Sequence, residues 1–344
     1  MIRFECDYTE GAHPQIMQRL LETNMEQTQG YGMDPHCDKA RVYIKKACQA
    51  PNADVHFLVG GTQTNMTVIA AALRPYQGVI AAQTGHINVH ETGAIEATGH
   101  KVLALPSADG TLTAEQIEQT MQAHYNDADH EHIVQPGMVY ISHPTENGTL
   151  YGKEQLEKIS AVCKKYDIPL FVDGARMGYG LHSPKGELTL ADFARLTDVF
   201  YIGGTKVGAL FGEAVVITKE SLKRDFRYFI KQRGGMLAKG RLLGIQFETL
   251  FENGLYDEIS TYAVRLAMKI KDAFAEKGIS FLFDSYTNQQ FPILTQAQMD
   301  YLKEKYAFCL WSKVDEEHSA VRFCTSWATN EGAVDELVRD IRGM

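Results

Sequence analysis

The chain has 344 residues, is 44% hydrophobic and 22% charged, and carries a net charge of −9. That is ordinary globular composition, long enough for one large domain and a smaller one, and an acidic balance without a basic cluster excludes nucleic acid as a partner. No apolar run reaches the ~18 residues of a membrane helix, the start MIRFECDYTE has no signal-like apolar region, and the cysteines at 6, 37, 48, 163, 309 and 324 form no C-x-x-C pair. The expectation is a reduced, cytoplasmic protein with no membrane partner, no metal site and no disulfide framework.

Short apolar, β-rich runs recur along the chain. They predict strands at VHFLVGG (55–61), GVIAAQ (78–83), KVLALP (101–106), GMVYISH (137–143), PLFVDGA (169–175), VFYIGGTK (199–206) and EAVVI (213–217). Amphipathic stretches lie between most of them. Ile117, Met121 and Tyr125 share one face of 113–126, and Leu156, Ile159, Val162 and Cys163 share one face of 152–166. This alternation predicts an α/β fold with a mostly parallel seven-stranded sheet and ligands at the carboxyl ends of its strands. The link between VFYIGGTK and EAVVI is too short for a helical crossover, so one strand is expected to run antiparallel. A helical region follows over about 219–277, broken by RGGMLAKG (233–240). Four more strands are expected at SFLFDS (280–285), QFPILT (290–295), AFCLWS (307–312) and AVRFCTS (320–326), then a helix from near Asn330. The boundaries are read as a large domain over 1–244, with segment 1–14 near the active site, and a smaller α/β domain over 245–344.

Four strand ends carry candidate chemistry. Lys206 closes VFYIGGTK among Gly203, Gly204 and Gly208. A desolvated lysine there can form a Schiff base with an aldehyde; a solvated loop lysine is the plain alternative. Asp173 ends the preceding predicted strand. Pyridoxal phosphate needs one amine for its aldehyde and one carboxylate beside its ring nitrogen, and the two residues match that need. A helix-capping aspartate is the structural alternative. In VGGTQTNM (59–66), Gly60 and Gly61 permit close backbone approach, and Thr62 with the following helix start can hold a phosphate. The segment matches neither dinucleotide nor ATP glycine patterns, which argues against a NAD oxidoreductase. His86, in QTGHINVHETGA (83–94), sits just past a strand end. It can stack on a flat ring or be an ordinary loop histidine.

VGGTQTNM, GHINVHETGA, FVDGAR, GGTKVGA and VRFCTSWAT occur in this order. Together they resemble the threonine aldolase and β-eliminating lyase group of fold-type-I pyridoxal phosphate enzymes, and GYGMDP (30–35) is similar to a segment near that group's amino end. The resemblance implies a PLP-dependent lyase acting on a small amino acid, with Lys206 on the cofactor aldehyde, Asp173 at the ring nitrogen and His86 stacked on the ring. It implies that Gly61, Thr62 and Thr205 hold the phosphate and that Arg176, beside the cofactor, and Arg322 orient the substrate carboxylate. Cys6 stands where the family carries a substrate-binding serine, and His143 falls where it carries a histidine at the substrate hydroxyl. His143 or His86 is therefore the expected base. A homodimer or homotetramer with shared sites is implied, with Tyr31, Arg233 and Lys239 reaching a neighbour. The expected reaction cleaves threonine or allo-threonine to glycine and acetaldehyde. The alternatives are β-elimination, phenylserine cleavage, or cofactor binding without turnover.

Overall fold

The computed structural model describes residues 1–344. All seven strands predicted for the large sheet form. In spatial order they are Asp54–Leu58, Glu213–Ile217, Val199–Gly203, Leu170–Asp173, Gln135–Ser142, Gln77–Ala82 and Val102–Leu105. Glu213–Ile217 runs antiparallel to both its neighbours, and every other pairing is parallel. The short link that forbade a crossover thus places the reversed strand.

Strand side chains alternate between two buried faces, with period two. Val139, Ile141, Val172, Phe200 and Ile202 enter one apolar core. Met138, Tyr140, Phe171, Val199 and Tyr201 enter the other. By this parity Asp173 faces the side of Tyr140 and Tyr201, whereas His143 faces that of Val139 and Ile141. The helix Gly61–Ala72 covers the Tyr140 side through Val68 and Ile69. Helices Ala114–Asn126 and Lys153–Lys165 cover the other side through Ile117, Met121, Leu156 and Ile159. Thr113 starts the first of these with a reciprocal cap: its hydroxyl accepts from Gln116 N and the Gln116 amide oxygen accepts from Thr113 N.

The helical region after the sheet resolves into Glu220–Lys223, Phe226–Gln232, Arg241–Glu252 and Leu255–Glu276. The expected domain boundary at 245 does not match the packing. Phe247, Leu250, Leu255, Ile259 and Val264 belong to the large-domain core, whereas Leu266, Ile270 and Phe274 enter the small one. One long helix therefore bridges both domains. The small domain carries an antiparallel sheet of Ile293–Thr295, His318–Cys324 and Cys309–Lys313. Phe4 joins its core, and Ile2–Arg3 pairs with Tyr306–Ala307. The strand expected at 280–285 is absent. Only Phe281 bridges, to Pro292, whose missing N–H also splits the next expected strand into 289–290 and 293–295. The final helix is Glu331–Gly343, capped by Asn330. No helix is long and apolar enough to cross a membrane, and all six cysteines are free.

Candidate active site

Asp173 is buried at the carboxyl end of its strand and takes four hydrogen bonds. Tyr201 Oη donates to Oδ1 at 2.5 Å and Ala175 N donates to the same oxygen at 3.0 Å. Tyr140 Oη donates to Oδ2 at 2.6 Å and Asn65 Nδ2 at 3.2 Å. Burial alone would raise the Asp173 pKa, but the nearby His86 and the donated hydrogen bonds outweigh it and hold the carboxyl below its ordinary value. The result is a fixed anion on the inner wall of the site.

Lys206 follows the neighbouring strand, past Gly203 and Gly204. Glycine is required there: a Cβ on Gly203 would collide with the Ala175 backbone, and one on Gly204 would meet Gly212 O at 2.7 Å. No carboxylate forms an ion pair with the Lys206 amine. Burial and the Arg176 cation lower its pKa, with Asp7, Asp173 and Glu213 opposing. Burial raises the Glu213 carboxyl in turn. Thr205 spends its hydroxyl on this carboxylate, donating to Glu213 Oε1 at 2.8 Å and accepting from Gly212 N at 3.0 Å.

His86 opens a short helix at His86–Val89. Its Nδ1 pairs with Glu91 Oε1 at 2.7 Å, and Asn65 Nδ2 donates to that same oxygen at 2.7 Å. Burial lowers the His86 pKa, but Glu91 and Asp173 outweigh it and favour the cation. Gly61 and Thr62 begin the helix Gly61–Ala72, which has no side-chain cap, so its first-turn N–H groups are free for an anion. Thr62 is exposed and its hydroxyl is unengaged. A Cβ on Gly61 would come within 3.1 Å of Tyr201 Oη.

Arg176 follows Asp173 but does not stand free. Its Nε and Nη2 donate to Asp7 Oδ2 and Oδ1 at 2.6 and 3.0 Å, and Asn288 Nδ2 also donates to Asp7 at 2.9 Å. Burial would raise the Asp7 pKa, but Arg176 and Lys206 pull it down to about 2. The amino-terminal segment thus reaches the sheet edge. Arg322 donates to Glu5 O at 3.0 Å and to Gln289 Oε1 at 3.3 Å, lies over the Trp311 ring, and keeps a buried Nε without a partner. Cys6, a half-buried free thiol, lies in sequence between the residues that hold the two arginines.

Two expected residues lie elsewhere. His143 is 2% exposed, and its ring packs 5.0 Å from Phe193, against Tyr151. Tyr151 N donates to its Nδ1 at 3.4 Å, and burial drives its pKa down to about 3. The expectation of a base at the substrate hydroxyl is corrected by one step of strand alternation, which turns His143 into the opposite core. Tyr31 is 47% exposed with a φ of 62°, and its neighbours are Arg227, Lys231 and Ala238, none of them in this cluster.

Sequence reasoning did not find Tyr140, Tyr201, Asn65, Glu91, Asp7 or Glu213. A tyrosine inside a buried strand needs a partner for its hydroxyl, and that signal was available in GMVYIS and VFYIGG. The ion pair of Asp7 with Arg176 spans 169 positions and has no local signature.

The residues fit pyridoxal phosphate. An unpaired amine, an anion and an uncapped helix start converge on one sheet edge. Asp173, held as an anion by its four donors, is the carboxylate that would meet the ring nitrogen.

Comparison with known proteins agrees. A low specificity L-threonine aldolase of Pseudomonas sp. (strain NCIMB 10558) is 29% identical over 352 aligned residues, covering 99% of this chain and 97% of its own. That of Saccharomyces cerevisiae (strain ATCC 204508 / S288c) is 26% identical over 82% of this chain and 72% of its own. A solved structure of Leishmania major threonine aldolase superposes with a TM-score of 0.97 at 46% identity, covering 100% of this chain and 99% of that one. A Thermus thermophilus aspartate aminotransferase mutant shares the fold, at TM-score 0.71 and 14% identity over 99% of this chain and 96% of its own. The beta-eliminating lyase family model matches residues 4–297, and the chain belongs to that family.

Proposed function

We propose that this protein is a PLP-dependent aldolase that cleaves the Cα–Cβ bond of β-hydroxy-α-amino acids, giving glycine and acetaldehyde from threonine or allo-threonine. The observation that carries the reading is the pairing of an unpartnered, desolvated Lys206 amine with Asp173, kept anionic by four donors. The names of the relatives support the reaction type.

Pyridoxal phosphate, when bound, supplies an aldehyde for an amine and a ring that draws electrons from a bond breaking at Cα. Lys206 holds the aldehyde, and its lowered pKa keeps more of the amine in the nucleophilic form. Asp173 keeps a proton on the ring nitrogen by its negative charge. The imidazole of His86 packs on the ring, while Glu91 fixes its orientation. Gly61, Thr62 and the first-turn N–H groups take the phosphate. Thr205 positions Glu213 in support of Lys206. Arg322 is the freer of the two arginines and takes the substrate carboxylate. Arg176, already paired with Asp7, sets the positive potential beside it, and Cys6 lines the same edge.

The working form is a homodimer or homotetramer, with exposed Tyr31 and Lys239 offered to a neighbour's site. The free cysteines suit a reducing compartment, the cytoplasm. An amino acid panel assayed for glycine, aldehyde, ammonia and oxo acid tests the reading. Glycine with acetaldehyde from threonine is expected. Ammonia with oxo acid and no glycine would replace aldol cleavage by β-elimination.

A further inference from the structure

Correcting His143 leaves the β-hydroxyl without a base, and His86 already spends its Nδ1 on Glu91 Oε1 at 2.7 Å.

Glu146 stands beside His86. It lies four residues past the strand Gln135–Ser142, beyond the turn at Pro144, and its side chain comes back to that strand end. Its Oε1 accepts from Ser142 Oγ at 2.7 Å and from His86 N at 3.0 Å. No other residue donates to Oε2, and no lysine or arginine forms an ion pair with the carboxylate. Asp173, His86 and Arg176 lie close enough to feel its charge. A partly buried carboxylate with one oxygen anchored twice and no direct ion pair is unusual as scaffolding, because burying a charge without a paired partner is costly.

We propose that Glu146 is the catalytic acid–base residue for the β-hydroxyl of the substrate, acting through Oε2. The inference rests on the aldolase reading above. Glu146 takes the hydroxyl proton, and the O–H electron pair becomes the second bond of the aldehyde carbonyl. The Cα–Cβ pair stays with the glycine carbon, which takes a proton from the Lys206 ammonium or water. Glu146 then returns its proton to solvent. Ser142 and the His86 N–H hold Oε1 so that Oε2 alone faces the reacting group. Burial raises the pKa of this carboxyl, which makes it a stronger base than an exposed glutamate.

The test uses holoenzyme and the variant Glu146→Gln, whose amide oxygen still accepts from Ser142 and His86. Two rates are compared: threonine cleavage, and exchange of the glycine α-proton in deuterated water, which needs no β-hydroxyl base. Cleavage is expected to fall by about 10²–10⁴-fold while exchange and cofactor absorbance change little. Cleavage at the wild-type rate, or equal losses in both rates, overturns the proposal. If the glutamine variant loads no cofactor, Glu146→Asp decides. A lowered ratio of cleavage to exchange supports the role, and an unchanged ratio overturns it. Wild-type protein that exchanges glycine but cleaves no β-hydroxy amino acid removes the aldolase reading itself.

Discussion

Removing the two phenols that face Asp173 tests how the site keeps that carboxylate charged. Tyr140→Phe and Tyr201→Phe each delete one short hydrogen bond to it, of 2.6 and 2.5 Å, without changing the ring that fills the core. A hydrogen bond to a charged group contributes roughly 1.5–3 kcal/mol, so each deletion raises the ratio of neutral to ionised carboxyl about 10- to 150-fold. The sign follows from the bond being made to the anion, so its loss raises the Asp173 pKa. One deletion leaves three donors. The double variant leaves only Ala175 N at 3.0 Å and Asn65 Nδ2 at 3.2 Å against burial. Single variants are therefore expected to bind cofactor nearly as wild type does. The double variant is expected to bind weakly at low pH and to recover as pH rises. The assay is titration of apo-protein with pyridoxal phosphate, followed by visible absorbance at several pH values. A double variant whose affinity and pH dependence match wild type would refute the role assigned to the phenols.

Three further outcomes are expected. Asp7, lowered from an ordinary 3.8 to about 2, stabilises the fold by about 2 kcal/mol. That contribution is fully present above pH 3.8 and lost as pH falls through about 2. Asp7→Asn should therefore lower the unfolding midpoint at neutral pH, with the gap to wild type closing in strong acid; a constant gap would contradict the assignment. Arg322→Lys keeps the charge and loses the two-pronged geometry, so amino acid binding should weaken by roughly 1.5–3 kcal/mol with cofactor absorbance intact; unchanged affinity in a substrate titration would make Arg322 structural. Sedimentation should give a dimer or larger, and a fully active monomer would contradict shared sites.

The sheet was legible because its seven strands are apolar runs separated by helices, and the link from Lys206 to Glu213 is too short for a crossover. Lys206, Asp173, His86 and Gly61 were visible because each terminates or follows a strand, where an α/β sheet places its chemistry. Their partners were not. Asn65 and Asp173 are 108 positions apart, and only the fold brings them to one carboxylate. His143 was misplaced because a histidine at a strand end can face either side, and the parity that settles it appears only when Val139 and Ile141 are seen in their core. The strand expected at 280–285 failed because β-rich composition does not supply a pairing partner, and the segment has only the single bridge at Phe281. The boundary at 245 failed because the helix Leu255–Glu276 packs into both cores, so no composition shift marks the junction.

The most direct test of the central claim is to reduce the holoprotein with borohydride, digest it and read the modified peptide by mass spectrometry. The expected result is a yellow protein that loses its colour on reduction and carries a single pyridoxyl group on Lys206. Label on another lysine, or a protein that stays colourless and unlabelled after incubation with pyridoxal phosphate, would contradict the account.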